Sequence, residues 1–351
     1  MIKTKSYASI SPDLDLLPYS FNRRDPGPTD VLIEILFCGI CRSDISYATN
    51  ELGCTVYPVV PGHEIIGQVI SVGDKVTSFK KGDRVGVGPL VDSCGHCLDC
   101  LDGQEQCCDS AIQTYNFTDR HTGNTTYGGY SQYIVVDERF VLKIPENLDL
   151  ASTAALCSSM TTYSALNLQK MKKGARVGVV GIGGLGHMAI KFARAMGYYV
   201  VAFTSSENKI KDIQRIGANK VVLTENLEEI QKFKCYFDFI LNTLPVEYDF
   251  NKYLELVARD GSICTVGSAG FNISRNPNIS LSSGFLNVKR RKLVGSRISG
   301  MKEAQEMLNF CSERNITADI ELIPIQYINK AYERMINNDV KFKFVIDMKT
   351  L

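Results

Sequence analysis

The chain has 351 residues, which is enough for about two domains. With 44% hydrophobic and 22% charged residues, its composition is that of an ordinary globular protein. Lys and Arg together number 39 and Asp and Glu 38, so the net charge is +1, which argues against nucleic acid or an anionic membrane as a partner.

The N-terminal residues and the cysteines bear on the compartment. The N-terminus lacks the apolar core of a secretory signal peptide, and no apolar run approaches the ~20 residues of a membrane span. We therefore expect a cytoplasmic protein without a membrane segment. Because thiols stay reduced in the cytoplasm, the 12 cysteines indicate metal binding or catalysis rather than disulfides.

The first part of the chain alternates short apolar runs with glycine and proline. The clearest runs are 31–40, 64–73, 83–89 and 130–136, and each has the length and residue types of a β-strand. This pattern predicts a compact, β-rich domain with irregular loops.

Three separate stretches carry potential metal ligands. "CGICRSD" contains Cys41, "PGHEIIG" contains His63 and Glu64, and "ALCSSMTTY" contains Cys157. Two cysteines and one histidine as protein ligands would leave a coordination position open, as catalytic zinc requires. A lone cysteine is more often a core residue, and spacing alone does not join these three stretches.

A cysteine cluster lies between them, in "DSCGHCLDCLDGQEQCCDS". Cys94, Cys97, Cys100 and Cys108 follow the spacing C-x2-C-x2-C-x7-C, which suits a closed tetrahedral zinc site on one loop. Cys107 could replace Cys108 as the fourth ligand. A redox pair is the alternative, but it predicts two cysteines rather than four or five. Four thiolates leave no position for a substrate, so this cluster indicates a structural site.

From residue 152 onward, continuous apolar strands alternate with helical segments. The strands include "ARVGVVG", "YVVAF", "KVVLT" and "DFILNT", and a helix such as "HMAIKFARAMG" follows most of them. Alternation of this kind predicts a doubly wound parallel sheet covered by helices on both faces. We expect the tail after residue 290 to return partly to the first domain.

A glycine-rich turn follows the first of these strands, in "VGVVGIGGLGHM". Gly181 would permit the tight turn, Gly183 and Gly184 would let the backbone approach a pyrophosphate, and Gly186 would permit close packing of helix and strand. The start of the following helix offers free N–H groups and the positive end of its dipole. Because strand, loop and helix occur in the required order, we expect a dinucleotide site.

The end of the next strand, "AFTSSENK", bears on the choice of nicotinamide cofactor. An acidic residue there would bind the ribose hydroxyls of NAD. Thr204, Ser205 and Ser206 are neutral instead, and Lys209 adds positive charge that suits a 2′-phosphate. Glu207 speaks against this, but it lies past the strand end. The segment favours NADP(H), although it could simply cap the next helix with either cofactor.

Together these pieces resemble the zinc-dependent medium-chain alcohol dehydrogenases, and among them the branch of cinnamyl alcohol dehydrogenases and NADP-dependent aldehyde reductases. The resemblance covers nearly the whole chain, from "CGICRSD" and "YPVVPGHEIIG" through the cysteine loop, "YGGYSQYIVV" and "GIGGLGHM" to "FKFVIDM". It implies an α/β protein with a β-rich, GroES-like catalytic domain at 1–151 and 291–351. The rest, 152–290, would be a doubly wound Rossmann domain that binds NADP(H).

The resemblance also implies roles for individual residues. Cys41, His63 and Cys157 would hold a catalytic zinc, with Glu64 behind them or as an occasional ligand, and Asp44 would hydrogen-bond the far nitrogen of His63. Ser43 would touch the substrate oxygen and begin a proton relay. The second zinc would be structural, so two zinc ions are expected per chain, and its ligands would be Cys94, Cys97, Cys100 and Cys108. The expected cofactor contacts are Gly181, Gly183, Gly184, Leu185, Gly186, Thr204, Ser205, Ser206, Lys209 and Gly267.

The implied reaction is the interconversion of primary aromatic or aliphatic alcohols and aldehydes, in a homodimer. Ser46 stands where many relatives have a histidine, which leaves the end of the proton relay open. Gln113 stands where plant members have a tryptophan in the substrate pocket. Two alternatives stay open: a polyol or secondary-alcohol dehydrogenase of the same superfamily, and a nucleotide-binding zinc protein without catalytic activity.

Overall fold

The computed structural model describes residues 1–13, 15–244, 249–267 and 281–351. The chain divides into two compact units, the first formed by Met1–Cys157 with Ser299–Leu351 and the second by Ser158–Ile298. In the described part of the chain, no helix is both long enough and apolar enough to cross a lipid bilayer.

The elements below are numbered in chain order. The strands are β1 (Ile2–Ala8), β2 (Leu17–Arg23), β3 (Asp30–Gly39), β4 (Ile65–Val72), β5 (Arg84–Val87), β6 (Leu90–Asp92), β7 (Ile112–Gln113), β8 (Tyr133–Asp137), β9 (Leu142–Lys143), β10 (Arg176–Val180), β11 (Tyr199–Thr204), β12 (Lys220–Leu223), β13 (Phe237–Asn242), β14 (Val257–Thr265), β15 (Lys292–Gly295), β16 (Ile320–Pro324) and β17 (Lys343–Asp347). The α-helices are α1 (Arg42–Ala48), α2 (Leu98–Leu101), α3 (Leu150–Thr153), α4 (Leu156–Asn167), α5 (Gly184–Ala195), α6 (Ile210–Arg215), α7 (Leu227–Gln231), α8 (Phe250–Leu254), α9 (Ser283–Asn287), α10 (Met301–Arg314) and α11 (Ile328–Ile336).

The first unit is built around a sheet in which β3 is central. Its strand order is β16-β17-β3-β4-β5-β9, and β8 also pairs with β3. Val31 and Ile33 of β3 are completely buried, as the apolar face of a strand in a sheet core must be. The strands expected at 31–40, 64–73, 83–89 and 130–136 are β3, β4, β5 and β8.

The second unit contains a parallel sheet of strand order β12-β11-β10-β13-β14-β15. From β10 the chain runs outward through β11 to β12 and then returns to the other side of β10 with β13. That reversal is the switch point at which doubly wound sheets bind their ligands. Apolar side chains such as those of Phe203, Phe237 and Ile240 are fully buried against the sheet.

The two units divide a few residues later in the chain than the boundaries expected after residues 151 and 290. At the second boundary the reason is visible in the sheet. The strand β15 pairs in parallel with β14, so Ile263 lies opposite Leu293, and the residues of β15 therefore belong to the second unit.

Candidate functional site

Three segments of the first unit meet where β3 ends. The backbone N–H of Gly39 donates to the carbonyl oxygen of Glu64 at 2.9 Å, and the N–H of Ile40 donates to that of Phe344 at 3.0 Å. The residues just before β4 and the first residue of β17, Lys343, are thereby placed next to the start of α1. Strand pairing, rather than proximity in sequence, builds the site.

The four residues expected around a catalytic zinc are brought together there. Cys41, His63, Glu64 and Cys157 each offer one ligand atom, and these atoms lie within 4.8 Å of one another. A hydrogen bond between the two thiols lowers the pKa of Cys41 well below its ordinary value and raises that of Cys157 well above it. Two thiols that share one negative charge fit a divalent cation, which would let both ionise.

Asp44 organises this site although it is not one of the four. It is completely buried, and its Oδ2 accepts the backbone N–H of Cys41 at 2.7 Å, at the start of α1. Its Oδ1 lies 3.0 Å from Nδ1 of His63 and accepts the N–H of Gly62 at 3.1 Å. Because Nδ1 is engaged with a carboxylate, Nε2 of His63 is the nitrogen that remains for a metal.

The electrostatics around His63 favour positive charge. Burial by itself lowers the pKa of His63, but the charges of Asp44 and Cys41 outweigh burial and raise the pKa well above its ordinary value. Asp44 also accepts a hydrogen bond from the hydroxyl of Tyr130 at 3.1 Å. A buried carboxylate with donors on both oxygens is held in one orientation, and so is the imidazole that it contacts.

Glu64 forms a buried ion pair with Lys343. The Glu64 side chain is 0% exposed and that of Lys343 is 3% exposed, and the ammonium group contacts Oε1 of the carboxylate. Among the described residues, none provides a hydrogen-bond partner for the other carboxylate oxygen, Oε2, which is also buried. Two buried charges of this kind are costly unless they are paired, so the pair fixes the position of Glu64.

Ser43 and Ser46 follow on the same helix. The hydroxyl of Ser43 donates to Sγ of Cys41 at 3.3 Å, which places it against one of the four ligand candidates. The hydroxyl of Ser46 is buried and donates to Oε2 of Glu51 at 2.8 Å. Arg42 donates to Ser46 Oγ at 3.1 Å and to Glu51 Oε1 at 2.9 Å. A half-exposed carboxylate therefore lies behind Ser46.

The four cysteines expected to bind a structural metal also converge. The Sγ atoms of Cys94, Cys97, Cys100 and Cys108 lie within 4.8 Å of one another. Cys108 is buried whereas Cys107 is exposed, so it is Cys108 that joins the other three.

The thiols of this cluster compete for negative charge. The backbone N–H groups of His96 and Cys97 lower the pKa of Cys94 to about 6. At Cys97 the N–H of Cys100 also lowers the pKa, but burial and the neighbouring thiols outweigh it and raise the pKa to about 12. All four sulfurs can ionise together only beside a cation, so the donor set fits a zinc ion with a closed coordination sphere.

The glycine-rich turn of the second unit has the shape of a phosphate cradle. Gly181 has φ +84°, a left-handed conformation that favours glycine, and a Cβ on Gly186 would overlap the carbonyl oxygen of Gly181. At Gly183, in contrast, no atom of the described residues lies within 4 Å of where a Cβ would be. That space lies before the first turn of α5, which begins at Gly184 and Leu185 and whose free N–H groups suit an anion.

The residues expected to select the cofactor lie at the same edge of the sheet. Val180 of β10 is the neighbour of Phe203 of β11 in the parallel register, so the loop after Thr204 lies beside the glycine turn. The Thr204 hydroxyl accepts the N–H of Ser206 at 3.1 Å. Ser205 and Glu207 are exposed, and Lys209 ends a short 3₁₀ turn. Gly267 follows β14, and a Cβ there would overlap the carbonyl oxygen of Leu244.

Sequence reasoning missed two residues of the site, Lys343 and Glu51. For Lys343 a signal was present, because a lysine stands in the apolar strand "KFVID" and four of those five residues are buried. A charged residue at such a position needs a partner of opposite charge. For Glu51 the sequence offers no signal, since its contact with Ser46 depends on how the chain turns after α1.

Comparisons with known proteins agree with this architecture. The family model described as "Alcohol dehydrogenase GroES-like domain" matches residues 27–146, and the one described as "Zinc-binding dehydrogenase" matches residues 184–313. The aldehyde reductase YahK of Escherichia coli is 47% identical, and the alignment covers 100% of this chain and 99% of that protein.

Solved structures give the same result. A cinnamyl alcohol dehydrogenase from Sorghum bicolor superimposes with a TM-score of 0.95 at 38% identity, covering 99% of this chain and 98% of that one. The enzyme described as CAD from Helicobacter pylori, complexed with NADP(H), has a TM-score of 0.92 at 41% identity and covers 99% of both chains. These matches confirm the predicted resemblance and fold class. The chain belongs to the zinc-binding alcohol dehydrogenase family, with a GroES-like domain and a nucleotide-binding domain of the Rossmann type.

Proposed function

We propose that the protein is a zinc-dependent, NADP(H)-dependent alcohol dehydrogenase that interconverts primary aromatic or aliphatic alcohols and their aldehydes. The observation that carries this proposal is the convergence of Cys41, His63 and Cys157, because three protein ligands leave one coordination position for a substrate. The names of similar proteins support it, since one is an aldehyde reductase and another a cinnamyl alcohol dehydrogenase.

In this proposal the chain binds two zinc ions. Cys41, His63 and Cys157 hold the catalytic ion, and the four-cysteine loop holds the structural one. When bound, the catalytic zinc supplies a Lewis acid for the alcohol or aldehyde oxygen. Asp44 keeps His63 in the orientation and tautomer that the ligand set needs.

The proposed cofactor is NADP(H), whose nicotinamide supplies or accepts the hydride. The glycine turn and the start of α5 bind its pyrophosphate, and Lys209 with the neutral side chains before it favours the 2′-phosphate. The solved structure from Helicobacter pylori with NADP(H) supports this assignment. The proposed contacts are Gly181, Gly183, Gly184, Leu185, Gly186, Thr204, Ser205, Ser206, Lys209 and Gly267.

Ser43 and the residues behind it move the proton. The Ser43 hydroxyl lies against Cys41, where it can hydrogen-bond a substrate oxygen and exchange its proton. Ser46 and Glu51 form a hydroxyl–carboxylate pair further out. Burial raises the pKa of Glu51, but Arg42 and Ser46 outweigh burial and lower it below its ordinary value. Glu51 is therefore ionised at neutral pH, and when an alcohol is oxidised it can accept the released proton from the direction of Ser46.

The proposal also includes the assembly and the compartment. A homodimer is supported by the family resemblance, and a measurement of molar mass in solution by light scattering tests it. The two thiol-rich ligand sets need reduced cysteines, which supports a location in the cytoplasm.

The experiment that tests the proposed activity is a substrate panel assayed spectrophotometrically with both nicotinamide cofactors. It contains an aromatic aldehyde, an aliphatic aldehyde, a secondary alcohol and a polyol. We expect fastest turnover for aldehyde reduction with NADPH. Turnover of the polyol or the secondary alcohol alone would support the alternative dehydrogenases, and NADPH binding without any turnover would support a non-catalytic protein.

A further inference from the structure

The buried pair of Glu64 and Lys343 has a geometry that bears on the metal. One oxygen of Glu64 lies within 4.8 Å of the ligand atoms of Cys41, His63 and Cys157, while its Oε1 contacts the ammonium group of Lys343. A carboxylate so placed is a competent fourth ligand for zinc. If it coordinated, the sphere would be closed and no substrate oxygen could enter.

The charges of the site depend on the same pair. Two thiolates and one carboxylate carry three negative charges, whereas a zinc ion carries only two positive ones. Lys343 supplies the third, because its buried ammonium group contacts Oε1 of Glu64 directly. Without this cation the carboxylate would be a buried charge whose best remaining partner is the metal.

We propose that Lys343 is a positioning residue that holds Glu64 away from the zinc and so keeps the fourth coordination position open for substrate. This inference rests on the proposed function, because it requires a zinc ion at Cys41, His63 and Cys157. A purely structural ion pair would affect stability alone, whereas a positioning residue also changes which atoms coordinate the metal.

The strand pairing explains how a residue near the C-terminus reaches this position. Lys343 and Glu64 are 279 residues apart in sequence. The strand β17 is antiparallel to β3, with Val345 opposite Gly39, and the pairing continues with Ile40 and Phe344. The side chain of Lys343 is therefore fixed by the main sheet of the first unit rather than by a surface loop.

The test uses the full-length protein with cobalt in place of zinc, because the visible bands of cobalt report its ligands. Imidazole is the probe, since it is a small neutral donor that can enter an open position. The variants are Lys343→Met, which removes the charge, Lys343→Arg, which keeps it, and the double variant Lys343→Met with Glu64→Gln. The bands of cobalt in the four-cysteine site serve as an internal reference.

In the wild type and in Lys343→Arg we expect imidazole to shift the bands of the catalytic site. In Lys343→Met the bands should differ before imidazole is added, and the imidazole concentration for half the shift should rise about tenfold. The double variant should return to the wild-type response. A Lys343→Met protein with wild-type bands and a wild-type response to imidazole would overturn the inference.

A further variant covers the case in which Lys343→Met does not fold. Glu64→Gln alone should keep the wild-type cobalt bands, because Glu64 is not a ligand while Lys343 holds it. Altered bands would mean that Glu64 already coordinates the metal, and the inference would be wrong. If instead the wild type bound cobalt only in the four-cysteine site, the proposed function itself would fail.

Discussion

Asp44 contacts four backbone or side-chain donors around the ligand set, and its role can be tested separately from that of the ligands. We expect Asp44→Asn to weaken zinc binding at the catalytic site by about 10–100-fold, because His63 loses the carboxylate that orients its ring. The measurement is the zinc content that remains in competition with a chelator, with the structural zinc as an internal reference.

Asp30→Asn is the matched control for this prediction. Asp30 is also buried, but it pairs with Arg24 and does not contact the ligand residues. Its substitution should lower stability without changing the affinity of the catalytic zinc. Equal zinc retention in the two variants would show that Asp44 does not support the site.

Glu51 allows a second prediction at the residue scale. We expect Glu51→Gln to slow alcohol oxidation about tenfold or more, because the alcohol must lose a proton and an amide cannot accept one from the direction of Ser46. The pH dependence of the rate should change as well, whereas Glu51→Asp should keep it. A Glu51→Gln enzyme with the wild-type rate and pH profile would remove Glu51 from the relay.

At the scale of secondary-structure elements, two glycines of the turn after β10 have different roles. We expect that Gly186 is needed for folding, and Gly183 is needed for cofactor binding. Gly186 packs against the carbonyl of Gly181, so Gly186→Ala should reduce the free energy of unfolding by on the order of 1–3 kcal/mol. Gly183 has a negative φ of −114° and open space beside it. Gly183→Ala should therefore fold normally but bind NADPH more weakly, because its methyl group would occupy the cradle.

Thermal unfolding and a fluorescence titration with NADPH distinguish the two variants. The expected pattern is a lowered Tm for Gly186→Ala and a raised Kd at an unchanged Tm for Gly183→Ala. Unchanged NADPH affinity in a folded Gly183→Ala protein would contradict the phosphate cradle.

The cysteine loop stabilises another element, the helix α10. Glu105 of this loop accepts the backbone N–H of Met301 at 3.0 Å, and a Cβ on Gly300 would overlap the carbonyl oxygen of Gly103. We expect Cys100→Ser to lose the structural zinc and to lower the Tm, since the loop would no longer hold the start of α10. Cys107→Ser is the control, because Cys107 is exposed outside the cluster.

Zinc content and thermal unfolding check this prediction. Cys100→Ser should retain one zinc ion per chain, and Cys107→Ser should retain two at an unchanged Tm. If Cys107→Ser lost one zinc ion, the assignment of Cys108 as the fourth ligand would be wrong.

At the scale of the whole molecule, what the sequence predicts depends on how far apart the interacting residues are. The four-cysteine site can be predicted from the spacing of its cysteines in the sequence, because all four ligands lie on one loop. The other site joins segments through the pairing of β3 with β4 and β17, and spacing carries no information about that pairing. The family resemblance supplied the ligand set, but neither Lys343 nor Glu51 was identified.

The domain boundaries also depend on strand pairing, which the sequence does not show. The parallel sheet was predictable because its strands are continuous apolar runs separated by helices. The last strand of this sheet, β15, was harder to place because its residues are exposed or only partly buried. Its membership in the second unit becomes clear only from its pairing with β14.

The central claim is that catalysis takes place at Cys41, His63 and Cys157 rather than at the cysteine loop. The most direct test is the rate of NADPH-dependent aldehyde reduction by Cys157→Ser, measured together with its zinc content. We predict one zinc ion per chain instead of two, and a rate lower by about a hundredfold or more, because the Lewis acid is worth several kcal/mol. A normally folded Cys157→Ser protein that kept two zinc ions and the wild-type rate would contradict this claim.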